Sequence, residues 1–150
     1  MQIEVIARAL ILNGDKILLT HAKSKKYTYL PGGHVKYGEF TEEALKRELQ
    51  EELGVSTEII AFVGVLEYKY KSFEGETMIF HELNLIFYVK ISGAVSTVHG
   101  LQSKEKRLEF IWVPIKKLKD YNLLPAPLIT LIPSWINSEK PFFQSSFSEH

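Results

Sequence analysis

The sequence predicts a single mixed α/β domain in which several strands pack around one strong helix. Segments rich in β-branched and aliphatic residues recur between turn residues, as in IEVIARALIL over 3–12 and TMIFHELNLIFYVKI over 77–91. Between them, Leu45, Leu49 and Leu53 recur every four residues, which is the spacing of one helix face. The length of 150 residues, 45% of them hydrophobic, suits one domain with its own core.

The first predicted elements are two strands joined by a tight turn. Residues 3–12 and 16–20 are the strands, and Gly14 between them accepts the positive φ of a hairpin turn. Residues 21–29 are polar and basic, and they are predicted to form a loop or a frayed strand. In residues 30–35, LPGGHV, a proline and paired glycines exclude a helix and indicate a sharply shaped backbone.

The strong helix is predicted over residues 41–53. Thr41 is expected to be its N-cap, because a threonine hydroxyl can accept a hydrogen bond from the first turn. Glu42 and Glu43 follow in that turn, where the helix dipole favours acids. Gly54 is expected to end the helix, since glycine readily takes the left-handed conformation found after a helix.

The rest of the chain alternates strands and helices. The predicted elements are, in order, long strands over 55–70 and 77–91, a polar loop over 92–106, a strand over 109–113, and helices over 114–120 and 127–136. We therefore assign residues 1–137 to one domain. Residues 138–150 are assigned to a polar C-terminal tail, which is expected to be loosely docked or disordered.

Composition excludes several classes of function. The chain has no cysteine, so a disulfide scaffold, a thiolate zinc site and a cysteine nucleophile are excluded. Lysine plus arginine balance aspartate plus glutamate at 18 each, whereas proteins that bind nucleic acid through bulk charge carry a basic excess. No apolar run approaches the roughly 18 residues of a membrane helix, and no signal peptide is evident. We expect a cytoplasmic protein with neither membrane nor nucleic acid as a partner.

Acidic residues cluster around the strong helix. Six of the eighteen acids lie within fourteen residues that contain only two cations, so the net charge of this segment is 2 − 6 = −4. The six acids are Glu39, Glu42, Glu43, Glu48, Glu51 and Glu52. On a helix, Glu48 is three residues before Glu51 and four before Glu52, so these carboxylates are expected to project from one face, about 100° from the leucine stripe.

This cluster favours one of two interpretations. A glutamate-rich helix is commonly just a solvated face. Like charges this close repel, however, and Arg47 is expected to pair only with Glu43 and Glu51. A hard divalent cation relieves such repulsion better, because Mg²⁺ and Mn²⁺ take oxygen ligands. Gly32 and Gly33 precede the helix, and such a turn lets the backbone approach a metal or a phosphate. The acidic cluster and the glycine turn together favour a metal site for phosphoanhydride chemistry.

The same residues form a longer motif. Gly33-x5-Glu39-x7-Arg47-Glu48-Leu49-x-Glu51-Glu52-x-Gly54-Val55 matches GX5EX7REUXEEXGU, with U aliphatic, at every defined position. This motif is the Nudix box, and the chain resembles the Nudix hydrolase family. The preceding LPGGHV and the later Trp112-Val113-Pro114 are also similar to family members. The resemblance implies a Nudix fold, which is a mixed β-sheet sandwiched between α-helices. It also implies metal-dependent hydrolysis of a nucleoside diphosphate linked to another group.

The resemblance further implies the role of each residue in the box. Glu48, Glu51 and Glu52 would be the ligands of Mg²⁺ or Mn²⁺, and Glu48 or a later glutamate would activate the attacking water. The carbonyl of Gly32 would complete the coordination. Arg47 would orient these catalytic glutamates through ion pairs.

Acidic residues other than Glu48, Glu51 and Glu52 are also candidates for a role in the site. The resemblance implies that Glu39 steadies the loop before the helix. A further ligand or base is expected from the loop before Trp112, which nominates Glu105 ahead of Glu109. Glu82 is the other candidate, and each of these acids could instead be a solvated surface residue.

Several residues could contact a nucleotide. Gly32, Gly33 and His34 are predicted to bind the phosphates, although packing would equally explain His34. Lysines at 23, 25 and 26 either steer an anion or belong to a solvated loop. Some aromatic residues could stack on a base or simply fill the core, namely Tyr27, Tyr29, Tyr68, Tyr70, Phe73 and Phe80. Three histidines show no metal-ligand spacing, namely His21, His81 and His99.

The motif predicts the chemistry and leaves the leaving group open. The expected substrate is a small-molecule nucleotide, foremost a (d)NTP or an oxidised nucleotide. A dinucleoside polyphosphate, ADP-ribose or a nucleotide sugar are alternatives within the enzyme class. A non-catalytic nucleotide-sensing module would be expected to carry damaged box glutamates, and this box is intact. An RNA-end processing enzyme would be expected to carry a basic surface. A homodimer is left open.

Overall fold

The computed structural model describes residues 2–72, 78–92 and 105–149. They form two β-sheets, two α-helices and one 3₁₀ helix, Ile115–Tyr121. The strands are β1 Ile3–Leu10, β2 Leu12–Asn13, β3 Lys16–Ala22, β4 Thr28–Tyr29, β5 Gly32–His34, β6 Thr57–Ser72, β7 Met78–Ile91, β8 Leu108–Pro114 and β9 Phe142–Glu149. The α-helices are α1 Thr41–Leu53 and α2 Leu128–Ile136.

The larger sheet has five strands in the order β5-β1-β7-β6-β9. β1 runs parallel to β7, β9 runs parallel to β6, and the other neighbours are antiparallel. The short strand β5 is therefore an edge strand, with Gly32 opposite Arg8 and Gly33 opposite Ala7 of β1. This edge carries Gly32 and the first glycine of the Nudix box, Gly33, which lies against Glu48 of α1.

The smaller sheet is built around β3. β8 pairs with β3 along its whole length, from Lys16 opposite Pro114 to Ala22 opposite Leu108. β2 and β4 pair with other parts of β3. The segment predicted as a loop or frayed strand thus contains the last residues of β3 and the short strand β4.

Alternating side chains of these strands belong to two hydrophobic clusters. Ile17 and Leu19 of β3 pack in the cluster that includes Trp135 of α2. Leu18 packs in the opposite cluster with Leu49 and the other leucines of the α1 stripe. Strands therefore lie between α1 and α2, and the predicted mixed sheet sandwiched between helices is confirmed.

The predicted bounds of α1 are confirmed, but its predicted N-cap is wrong. Phe40 is the N-cap, and its carbonyl already accepts the hydrogen bond from the Ala44 N–H at 2.9 Å. Thr41 is consequently inside the first turn. The Glu43 carboxylate accepts a hydrogen bond from the Phe40 N–H at 3.2 Å and so satisfies a backbone donor at the start of the helix. Gly54 ends the helix with a φ of 67°, as predicted.

The C-terminal segment differs from the expectation of a loosely docked or disordered tail. Phe142–Glu149 form β9, which extends the larger sheet beside β6. The backbones approach closely at Gly64, where a Cβ atom would collide with the backbone of Phe142. Backbone pairing with β6 orders this polar segment, although few of its side chains are buried.

Among the described residues, no helix combines the length and apolar character needed to cross a membrane.

Candidate active site

A cavity of about 700 Å³ opens where β5, β1 and α1 meet. Its acidic wall is formed by Glu48 and Glu52 of α1, and Gly32 and Gly33 of β5 lie beside them. The remaining lining residues come from strands of both sheets, from the loops before β4 and β8, and from the segment after the 3₁₀ helix, namely Arg8, Ala22, Lys25, Tyr27, Tyr29, His34, Tyr68, Tyr70, Glu82, Arg107, Leu124 and Pro125. The cavity therefore joins the predicted metal ligands to predicted nucleotide contacts.

The Glu48 side chain packs directly on Gly33. A Cβ atom built on Gly33 would lie 2.5–2.8 Å from three atoms of the Glu48 carboxyl group. Glycine at this position is therefore required for Glu48 to occupy its place against β5. The Gly32 position is tighter, because its Cβ would meet the carbonyl oxygen of Ala7 in the neighbouring strand, and its φ is 131°.

Arg47 ties the acidic residues together. Its Nε donates to Glu39 Oε1 at 2.7 Å and its Nη2 to Glu39 Oε2 at 3.1 Å, which is a bidentate pair. Its Nη1 donates to Glu48 Oε1 at 2.8 Å and to Glu51 Oε2 at 3.3 Å, and Nη2 also donates to the His34 carbonyl at 3.2 Å. An orienting role for Arg47 requires contacts of this kind, and the role itself stays a prediction.

Glu39 is held in the loop before α1. The Arg47 guanidinium, together with the Lys36 N–H, holds the pKa of the Glu39 carboxyl at about 2. The expected pairing of Arg47 with Glu43 is not found among the described residues, because Glu43 accepts from the helix N-terminus instead. Glu39 thus takes the place that the sequence analysis gave to Glu43.

Glu52 is the buried member of the cluster. Only 6% of the residue is exposed. Burial and the nearby Glu48 carboxylate raise the pKa of Glu52 to about 8, while Arg8 counteracts this rise. A cation bound close to such a carboxyl group would stabilise its ionised form and lower its pKa. The structure therefore contains the kind of acidic environment that a metal ion would relieve.

Glu51 is placed differently from the other two predicted ligands. Its side chain is 52% exposed and its contact is with Arg47. Of the three, only Glu48 and Glu52 line the cavity. Consistent with this, no three His, Cys, Asp or Glu side chains within 2–72, 78–92 and 105–149 already converge as a metal-binding cluster. By donor chemistry the site still fits a hard divalent cation, because it offers carboxylate oxygens beside an exposed backbone.

The other predicted site residues surround the cavity. His34 lines it, and its Nε2 lies 3.4 Å from Glu4 Oε2. Glu105 accepts hydrogen bonds from Arg107 at 2.9 and 3.0 Å, and its charge contributes to the raised pKa of Glu52. Glu82 also lines the cavity and accepts a hydrogen bond from Asn84 at 3.2 Å.

Glu109 lies away from the cavity, in a contact with His21. His21 Nδ1 is 2.6 Å from Glu109 Oε1, and its Nε2 is 2.7 Å from the Lys25 carbonyl. Both partners accept hydrogen bonds, so this geometry favours the doubly protonated imidazolium, and the hydrogen bond to Glu109 raises the pKa of His21. His21 thereby anchors the backbone of Lys25, which itself lines the cavity.

The predicted aromatic platform is largely at the cavity. Its members there are Tyr27, Tyr29, Tyr68 and Tyr70. Tyr70 stacks between two other rings, 5.6 Å from Tyr68 and 5.0 Å from Phe80. Burial raises the pKa of Tyr70 to about 12, so its hydroxyl stays protonated at neutral pH. Phe73 and His99 lie outside the described residues.

Sequence reasoning missed Arg8. This residue interrupts the apolar run of β1, and its side chain lines the cavity. The available signal was a single cation inside an otherwise apolar strand. Such a residue needs an acceptor or an anion, because an unpaired charge is costly away from water.

A family model described as the NUDIX domain matches residues 3–132. The chain belongs to the Nudix family. The 8-oxo-dGTP diphosphatase of Buchnera aphidicola subsp. Schizaphis graminum is 32% identical over 127 residues, covering 81% of this chain and 85% of the relative. This Nudix protein is therefore a MutT-like hydrolase, and its fold has the predicted architecture.

Solved structures share this Nudix fold. The MutT protein from Bacillus halodurans matches with a TM-score of 0.68 at 19% identity, covering 97% of this chain and 90% of that one. An ADP-ribose pyrophosphatase from Streptococcus suis matches with a TM-score of 0.66 at 17% identity, covering 95% and 98%. Nudix hydrolases generally use divalent metal ions and act on small-molecule nucleotides.

Proposed function

We propose that this Nudix hydrolase cleaves the phosphoanhydride of a nucleoside triphosphate, foremost a (d)NTP or an oxidised form of one. The observation that carries the proposal is the position of Glu48 and Glu52 at one wall of a 700 Å³ cavity that also has tyrosine side chains in its lining. Acidic ligands beside an aromatic surface suit a charged polyphosphate joined to a base.

A divalent cation, Mg²⁺ or Mn²⁺, would be held by Glu48 and Glu52 with the Gly32 carbonyl. Glu51 and Glu105 are the further proposed ligands, Glu51 by its place on the same helix and Glu105 by its influence on Glu52. When bound, the cation would neutralise phosphate charge and supply Lewis acidity.

The protein's own residues prepare the reaction. Arg47 fixes Glu48 through Oε1, so Oε2 is proposed to accept the proton of the attacking water. The tyrosines and the His34 side chain are proposed to hold the nucleotide. Attack on a bridging phosphate would release a mononucleotide and pyrophosphate.

The relative named 8-oxo-dGTP diphosphatase supports an oxidised guanine nucleotide as the first substrate to test. Its identity to this chain extends over most of both proteins. Because these nucleotides are soluble metabolites, we propose that the enzyme works in the cytoplasm.

The test is a product-resolved screen with Mg²⁺ or Mn²⁺. The panel contains canonical and oxidised (d)NTPs, ADP-ribose, nucleotide sugars and dinucleoside polyphosphates, and chromatography identifies the mononucleotide formed. We expect metal-dependent turnover of triphosphates that falls about 100-fold or more in Glu48→Gln and Glu52→Gln. Glu42→Gln, an exposed acid in the first turn of α1, is the matched control and should retain turnover.

Two outcomes would contradict the proposal. Turnover confined to ADP-ribose, a nucleotide sugar or a dinucleoside polyphosphate would overturn the triphosphate assignment. Wild-type rates in Glu48→Gln and Glu52→Gln, with unchanged circular dichroism, would overturn the acidic site. Glu51→Gln measured alongside them tests whether the exposed carboxylate joins the site.

A further inference from the structure

The cavity contains a cation that the motif does not include. Arg8 lies in the second half of β1, directly opposite Gly32 of β5, and its side chain is part of the cavity lining. Its Nη1 donates to the Leu30 carbonyl at 3.0 Å. Its guanidinium carbon lies 5.3 Å from the centre of the Tyr29 ring. These two contacts fix the side chain beside Glu48 and Glu52.

Arg8 has electrostatic neighbours but, within the described part of the chain, no carboxylate in direct contact. Among residues 2–72, 78–92 and 105–149, it takes part in no ion pair. Burial lowers the pKa of its guanidinium, while the more distant charges of Glu82, Glu52 and Glu48 oppose that effect. Removing a guanidinium from water is costly, and a carbonyl and an aromatic face compensate for only part of the cost.

Comparison with Arg47 shows what is unusual about Arg8. Arg47 directs its donors to Glu39, Glu48, Glu51 and the His34 carbonyl. Arg8 has the same five N–H donors. In the part of the chain that the structure describes, its hydrogen bonding consists of the one bond to Leu30. The other guanidinium N–H groups have no hydrogen-bond partner among these residues, and the Arg8 side chain lines the cavity in which the substrate phosphates are proposed to bind.

We propose that Arg8 binds a phosphate group of the substrate and neutralises its charge beside the acidic wall of the cavity. This assignment rests on the proposed function, because it takes the ligand to be a nucleoside polyphosphate. A guanidinium presents parallel N–H donors that match two phosphate oxygens. The Tyr29 face and the Leu30 carbonyl hold the plane of the guanidinium before substrate arrives, which reduces the ordering needed on binding.

The alternative role for Arg8 is purely internal, as a counter-charge that positions Glu52 and Glu82. The two roles give different results when phosphate binding and metal binding are measured separately. If Arg8 binds phosphate, its replacement should weaken the binding of nucleotides and leave the affinity for Mn²⁺ alone nearly unchanged. If Arg8 is only a counter-charge, its replacement should change the affinity for Mn²⁺ whether or not nucleotide is present.

The experiment compares wild type with Arg8→Gln and Arg8→Lys. Calorimetry with saturating Mg²⁺ measures binding of an α,β-methylene nucleoside triphosphate, which the enzyme cannot cleave between those phosphates. Electron paramagnetic resonance measures Mn²⁺ binding without nucleotide. Lys46→Gln removes one positive charge from the exposed side of α1 and serves as the matched control.

We expect Arg8→Gln to bind the analogue about 10- to 100-fold more weakly, as for loss of hydrogen bonds to a charged group. Arg8→Lys should recover part of this affinity, since it keeps the charge and loses the fork. Mn²⁺ affinity should change by less than about threefold in either variant, and Lys46→Gln should resemble wild type. If Arg8→Gln does not fold, the same comparison is made with Arg8→Lys, which should remain several-fold weaker than wild type.

Unchanged analogue binding in the Arg8 variants would overturn this assignment and leave the proposed function intact. A parallel loss of Mn²⁺ affinity would assign Arg8 to positioning of the carboxylates instead. Failure of the wild-type protein to bind the analogue or to cleave any nucleotide in the panel would overturn the proposed function, and the assignment of Arg8 with it.

Discussion

Replacing Glu52 with glutamine should stabilise the metal-free protein while removing its activity. Glu52 is buried beside Glu48, and its pKa is raised from 4.5 to about 8. An acid whose pKa is higher in the folded state favours folding when it is protonated. Its contribution is fully present below about pH 4.5 and is lost as the pH rises towards 8. Glutamine has nearly the same shape and carries no charge, so it avoids this loss.

The expected size follows from the two pKa values. Between pH 4.5, the pKa of Glu52 in the unfolded chain, and pH 7, the destabilisation of the folded state by ionised Glu52 grows by about 1.4 kcal/mol per pH unit. It reaches roughly 3 kcal/mol at pH 7. At pH 5 the same reasoning gives less than about 1 kcal/mol. The free energy of unfolding of Glu52→Gln should therefore exceed that of wild type by an amount that increases from pH 5 to pH 8.

The assay is urea unfolding of both proteins with a chelator present, at several pH values between 5 and 8. Glu51→Gln on the same helix is the control, because it removes the same charge from a side chain that is 52% exposed and lies outside the cavity lining. Saturating Mg²⁺ should stabilise wild type more than Glu52→Gln. Parallel pH profiles for wild type and Glu52→Gln would refute the reasoning, since they would show that Glu52 titrates normally in the folded protein.

The other predictions concern backbone contacts and one histidine. Gly33→Ala should keep its fold but turn over about 100-fold more slowly, because a Cβ atom displaces Glu48. Circular dichroism checks the fold and steady-state kinetics check the turnover; full activity would contradict the prediction. In Gly64→Ala, backbone collision with Phe142 should release β9, seen as faster amide exchange over 142–149, and unchanged exchange would count against that contact. The His21 imidazole should titrate above 6.5, so its stabilising contribution is lost as pH rises through that pKa; an NMR titration with a normal or lowered value would disprove the geometry.

The helix and the acidic residues were predictable because they are encoded locally. The leucines that recur every four residues place one face of α1 in the core, and all three are buried. The orientation of Glu51 was not predictable from this spacing. Glu51 and Glu52 are separated by about 100° around the helix, and the docking of α1 against β5 determines which of them reaches the cavity.

Two other features depend on contacts between distant parts of the chain. β9 has a polar sequence, and it is ordered by backbone pairing with β6 some 78 positions earlier, as in the contact of Ser145 with Glu67. Propensity within 142–149 carries no information about that partner. Arg8 was visible as a cation in an apolar strand, but its importance required knowledge that β1 borders the cavity.

The site combines two opposite electrostatic arrangements on one helix. On the outer side, Arg47 satisfies Glu39 and Glu51 with short ion pairs, so this part of the cluster is stable without a ligand. On the inner side, burial and the Glu48 carboxylate raise the pKa of Glu52, although Glu48 itself is paired with Arg47, and Arg8 forms an ion pair with neither glutamate. The fold therefore concentrates electrostatic stress where a cation and a polyphosphate would bind together. A cation relieves the carboxylates and a phosphate relieves Arg8, so each ligand should strengthen the binding of the other.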